Sequence, residues 1–247
     1  MIRRTRATVV VAVAAASVVA GALIGQATQN NPGGLIVAEG KDRRPSQAAA
    51  DWVTYADHVV VATADGERET PPSGTEIERG EGLVGREVNL RIDKVLWSRE
   101  GAPRSAPATW QRASLGWQFK GGDTENRMKM VPADQPRVES GHRYILAIDW
   151  EEAKCSPGDE PEPAQWHTLG EGAVVPYDDD IIGNGEMAGR VQSAERAVQL
   201  AAEEGPAVRL EDQLAGQGAD ELVAALREAT PVPRMQFGAA GDATKCG

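Results

Sequence analysis

A charged start followed by a long uncharged apolar run constrains this chain more than any other feature. Met1-Ile2-Arg3-Arg4-Thr5-Arg6 is basic, and Ala7 through Gly25 consists of small and apolar residues without a charge. Roughly 18 or more such residues span the hydrocarbon of a bilayer, whereas a cleavable export signal needs an apolar region of roughly 7 to 15. Length therefore favours an uncleaved N-terminal helix that anchors the chain in the membrane. Gly25-Gln26-Ala27 supplies the small residues of a cleavage site, so release as a secreted protein after Ala27 is the alternative. The arginines keep the N-terminus in the cytoplasm, which places everything after Gln26 outside.

Charge and cysteine usage narrow the partners. The 26 Lys and Arg residues face 37 Asp and Glu, a net charge of -11, and every acid follows Gln26 while Arg3, Arg4 and Arg6 precede it. The exported part repels nucleic acid and anionic headgroups, so nucleic acid is not an expected partner and the membrane is met through the N-terminal helix alone. Two cysteines exclude a disulfide-dense miniprotein and a four-cysteine zinc site. Both lie beyond the export segment, where thiols oxidise, and a Cys155–Cys246 disulfide is expected.

The chain divides into an anchor or signal at 1–25, a polar linker at 26–45, a β-rich domain at 46–190, a helical pair at 191–230 and a tail at 231–247. Ser46 caps an expected short helix through Trp52 and Tyr55. His58 to Thr63 is a β-branched run typical of a strand buried on both sides, and Asp65 to Gly82, with Pro71-Pro72-Ser73-Gly74, reads as a long surface loop. Alternation from Val88, the aromatic stretch Thr109 to Phe119, the run Tyr144 to Ile148 and the short segments at Trp166 and Ala173 are further strands. Ala194, Ala197, Val198 and Ala201, then Ala219, Leu222, Val223 and Leu226, repeat at helical spacing. The expected fold class is α+β: a small, mostly antiparallel β-barrel or sandwich with C-terminal helices packed on it.

Catalytic chemistry is sparse. His58 and His142 read as hydrogen-bonded structural histidines; His167, beside Trp166, is the most site-like of the three. Arg112-Ala113-Ser114-Leu115-Gly116 is one glycine short of a nucleophile elbow and lies in a β segment. Gly183-Asn184-Gly185-Glu186-Met187-Ala188 matches a phosphate fingerprint, but Asp178-Asp179-Asp180 stands just upstream, and a tight turn accounts for the glycines better. Asp178, Asp180 and Glu186 are the candidate ligands for a hard cation, although an EF-hand spacing is broken at Ile182 and Gly189. No catalytic set and no cofactor are expected. The six tryptophans, against two phenylalanines, supply bulk for the core.

The order Ala56-Asp57-His58-Val59-Val60-Val61-Ala62, then Val88 to Leu96, then Gly141-His142-Arg143-Tyr144-Ile145-Leu146-Ala147, resembles bacterial exported β domains and the OB-like barrel of netrin and metalloproteinase-inhibitor modules over residues 50–150. Inhibitors of that type reach zinc with an N-terminal cysteine; Cys155 and Cys246 occupy unrelated positions, so the resemblance implies a fold and no activity. The whole chain is similar to actinobacterial membrane-anchored or secreted proteins. The expected function is an extracytoplasmic binding or interaction protein, its partner a cell-surface protein or glycan. The alternatives are an extracytoplasmic hydrolase using His167 and nearby acids, and a structural envelope protein stabilised by Ca²⁺ at the Asp178 to Glu186 turn.

Overall fold

The β-branched run at His58 forms the middle of the architecture. In the computed structural model, which describes residues 34–40, 42–155, 161–203, 209–235 and 244–245, Val59, Val60, Val61 and Ala62 are all buried, as a strand covered on both faces requires. The apolar segment at 1–25 lies outside the described residues. Among the described residues no helix is long and apolar enough to cross a membrane.

In chain order the elements are β1 (Ile36–Ala38), α1 (Ala49–Tyr55), β2 (His58–Thr70), α2 (Gly74–Arg79), β3 (Glu81–Ser98), β4 (Thr109–Lys120), β5 (Arg127–Pro132), β6 (Arg143–Glu151) and β7 (Lys154–Cys155). There follow β8 (Gln165–Thr168), β9 (Val174–Pro176), β10 (Gly185–Met187), β11 (Arg190–Gln192), α3 (Ala194–Glu203), α4 (Leu210–Leu214), α5 (Ala219–Glu228) and β12 (Thr244–Lys245). The fold is α+β with mostly strand content. One eight-stranded sheet runs β1-β5-β4-β3-β2-β6-β8, with β9 also on β6, and every pairing is antiparallel except β1 with β5.

The expected barrel is not formed: β1 and β8 remain at opposite edges of an open sheet. On one face Trp110 of β4 and Trp166 of β8 belong to one apolar cluster with Val60, Val88, Tyr144 and Leu146. On the opposite face α1, α4 and α5 bring Trp52, Leu210, Leu214, Leu222 and Leu226 against Val59, Val61, Ile145 and Ala147. Where the sequence predicts a helical pair at 191–230, the described residues form three helices, α3, α4 and α5. Leu222 and Leu226 of α5 are core residues, but only Ala197 of α3 is buried and Val198 is exposed.

Three local expectations are corrected. The supposed loop at Asp65 to Gly82 is the polar end of β2, the short helix α2 and the start of β3. This outer ribbon is held by backbone pairing and by ion pairs of Arg68 with Glu87 and of Glu69 with Arg127, so it carries no apolar alternation to read. Ser73 and Glu76 cap α2 reciprocally, each accepting the other's backbone N–H. The linker at 26–45 is partly domain, since Ile36 and Ala38 are buried in β1. Ser46 does not cap α1; its buried hydroxyl donates to Asp42 and accepts from Gly172 N, while Asp51 accepts the N–H groups of Gln47 and Ala48.

Gly116 shows how tightly β3 and β4 approach at the register shift between Val84 and Arg86. A Cβ at Gly116 would stand 2.0 Å from the Val84 carbonyl oxygen, so no other residue fits without moving the strand.

The tail returns to the domain through β12, whose Thr244 stands opposite Cys155 of β7. Cys246 lies outside the described residues. We propose the Cys155–Cys246 bond on this pairing; it would close a loop of roughly 90 residues and contribute on the order of 4 to 5 kcal/mol. Non-reducing peptide mapping of protein from its native compartment is expected to recover one Cys155–Cys246 peptide, and recovery of both residues as free thiols contradicts the pairing.

Candidate functional site

His167 is placed by the pairing of β8 with β6, which sets it opposite Asp149, with Glu151 one residue beyond Trp150. Its Nε2 lies 3.4 Å from Glu151 Oε2. Arg43 bonds Asp149 and reaches Glu151 at 3.3 Å, and Lys154 bonds the same Glu151. The structure thus sets His167 beside Glu151 and opposite Asp149, neither of which the sequence singled out as its partner. Burial, then Arg43, pushes the imidazole down to about 4, so His167 is neutral at pH 7. Burial also raises the Asp149 carboxyl despite Arg43 beside it. Among the described residues no serine, threonine or cysteine side chain is hydrogen-bonded to His167, and its neighbours are ion pairs that fasten the segment at Arg43 to the sheet edge.

The other two histidines are structural. His58 bridges Ser98 Oγ and the Arg104 carbonyl, each at 2.8 Å, beside the Trp166 ring. His142 Nδ1 meets Asp178 Oδ2 at 2.5 Å.

The three candidate cation ligands are drawn to protein donors. Asp178 also accepts Arg143 N, and Asp180 pairs with the Arg143 guanidinium. Glu186 is buried and accepts from Arg137 N, Val138 N, Gly189 N and the Tyr144 hydroxyl, at 2.6 to 3.1 Å. Among the described residues no three His, Cys, Asp or Glu side chains converge as a metal's ligands do. The glycines of the fingerprint, Gly183 at φ 82° and Gly185 at φ 123°, lead into the hairpin β10–β11, whose turn holds Gly189 at φ 80°, and not into a strand-to-helix phosphate loop.

Sequence reasoning missed an open groove of about 520 Å³ built from three separated segments. Val53, Trp97, Leu226 and Val232 supply apolar walls, and Arg99, Arg227 and Arg234 stand around them with Glu100. Two of the arginines are held in place: Arg99 bonds Asp57, and Arg234 Nε donates to the Thr54 carbonyl at 2.9 Å. The segment after α5 forms one wall because Val232 N donates to Thr54 Oγ1 and Met235 N to the Tyr55 hydroxyl. Val232 and Met235 are exposed there. Their sequence carries no periodicity that announces a groove, since each wall comes from a different part of the chain.

No family model matches the chain, and no curated protein or solved structure is similar to it, so the chemistry of these sites has to be read from the residues themselves. For His167 it has a measurable consequence. The unfolded chain takes up a proton near pH 6.5 and the folded chain only near pH 4, so stability conferred by the neutral imidazole is full above pH 6.5 and falls as pH drops through that window. Urea melts are expected to lose about 2 to 3 kcal/mol between pH 6.5 and 4 from this group, and His167→Gln to remove that part of the slope. An unchanged slope in the variant would contradict the neutral, buried assignment.

Proposed function

We propose that the chain is an extracytoplasmic binding protein, held at the membrane by an uncleaved helix at 1–25, that docks an acidic, apolar segment of a cell-surface protein in the groove between α1, α5 and the end of β3. The observation that carries this reading is the groove itself: apolar walls at Trp97, Leu226 and Val232 beside three arginines, on a chain whose net charge is -11. Such a patch matches an apolar segment bearing carboxylates, and the exposed Val232 and Met235 extend the apolar surface that a partner would cover. Release after Ala27 and a glycan ligand remain the competing outcomes.

The His167–Glu151 contact favours a second reading, an extracytoplasmic hydrolase, in which His167 would act as a base. It is the weaker reading, because the same carboxylate already carries Arg43 and Lys154.

The test is retention of envelope proteins, from cells that make the chain, by the immobilised full-length chain in mild detergent. Proteins held by the groove are expected to be retained by wild type and lost, by about tenfold or more, with Trp97→Ala or Arg227→Glu, while His167→Gln retains them. Retention indifferent to both groove variants contradicts the docking site. Loss on treating the partner fraction with glycosidase assigns the groove to a glycan instead.

A further inference from the structure

On the other face of the sheet, β3 and β4 bring together three polar groups that lack an acceptor or a counter-charge. Arg86 stands directly opposite Ser114, and Arg112 opposite Val88, two residues from Ser114 on the same face. Arg86 is fully buried. Its terminal nitrogens donate to the Arg137 and Val138 carbonyls and to Glu139, but its Nε has no partner. The Ser114 hydroxyl is buried without a partner as well. Arg112 is half-buried, and among the described residues none forms a hydrogen bond or ion pair with it.

The surroundings explain why this is unusual. Burial and the Arg86 cation press the Arg112 guanidinium down to about 10, so it remains charged at pH 7 in a place that disfavours charge. Four cations gather here, Arg86, Arg112, Arg137 and Lys129. The neighbouring acids are already engaged: Glu139 bonds Arg86, Arg137 and Lys129, Glu67 lies 3.4 Å from Arg86, and Glu186 accepts backbone N–H groups and the Tyr144 hydroxyl. The orphaned Arg86 Nε–H and Ser114 hydroxyl are costly, because buried N–H and O–H groups are almost always bonded. What Arg86 Nε, Ser114 Oγ and Arg112 have in common is that an oxygen anion satisfies all three.

We infer that Arg112, Ser114 and Arg86 form a binding site for a tetrahedral oxyanion, phosphate or a phosphomonoester, which reaches it past the half-exposed Arg112. Donors on two strands suit a ligand with several oxygens better than a planar carboxylate, and the charge-assisted bonds from guanidinium give the site its strength. Arg112 supplies the principal charge, Ser114 a hydroxyl donor, and Arg86 an Nε–H already fixed by its other contacts.

Calorimetry and thermal melts on the full chain in mild detergent, at constant ionic strength, test this with inorganic phosphate as the probe and chloride as the reference. Saturable phosphate binding at about millimolar concentration or tighter is expected, with a rise in melting temperature. Arg112→Gln is expected to weaken binding by about tenfold or more, and Ser114→Ala by less. Glycerol 3-phosphate, run separately, tells a phosphorylated ligand from the free ion. Arg127→Gln, which removes an arginine outside the site, is expected to leave binding intact. A measurement that does not depend on the ligand accompanies these: in phosphate-free buffer Arg112→Gln should melt at least as high as wild type, since it removes an uncompensated charge. No saturable binding of either phosphate probe to wild type, or equal binding by folded Arg112→Gln, overturns the site.

Discussion

Val138 is held at φ 60°, a left-handed conformation that a β-branched residue avoids, and the arrangement around it organises one whole face of the sheet. Such a backbone costs on the order of 1 to 3 kcal/mol and persists only where neighbours over-determine it. Here they do. Glu186 accepts the N–H groups of Arg137 and Val138 from one side, and Arg86 donates to the carbonyls of the same two residues from the other. The Arg137 side chain then reaches the carbonyls of Met130 and Gly116 and the carboxylate of Glu139. One short segment thus ties β3, β4, β5, β6 and the hairpin β10–β11 together through buried polar contacts.

The same clamp explains how a charged group can stay unsatisfied next to it. Arg86 is oriented by four contacts, so its Nε cannot turn to find another partner, and Ser114 is fixed opposite by the strand register. The apolar groove follows a different logic on the other face. Its walls are the outer edges of the helices that cover Val59 and Ile145, and its arginines project from chain ends where a helix and a strand finish. Both surfaces gather cations on a chain whose net charge is -11.

What the sequence revealed and what it hid follow from burial. β2 and β6 were legible because their apolar runs are covered on both faces, and α5 because Leu222 and Leu226 share one stripe. The outer half of β2 was not, since Gly66-Glu67-Arg68-Glu69-Thr70 pairs in solvent through its backbone and its charges. Barrel closure depends on pairing between distant edges, which no local pattern encodes, and here β1 and β8 stay apart. Arg86 and Arg137 were invisible as core residues because arginine is ordinarily a surface residue. Glu186 was singled out for its oxygen atoms, and in the fold those atoms do collect donors, though they are backbone N–H groups and a tyrosine. His167 stands beside Glu151, but the ion pairs of Glu151 and Asp149 with Arg43 and Lys154 have no sequence signature.

Arg86 and Glu186 act as one unit from opposite sides of Val138. A double-mutant cycle of Arg86→Lys and Glu186→Gln, read by urea denaturation, measures this directly. Coupling above about 1 kcal/mol is predicted, because loss of either grip frees the segment that the other holds. Additive effects within about 0.5 kcal/mol would contradict the clamp and leave Val138 without an explanation for its backbone.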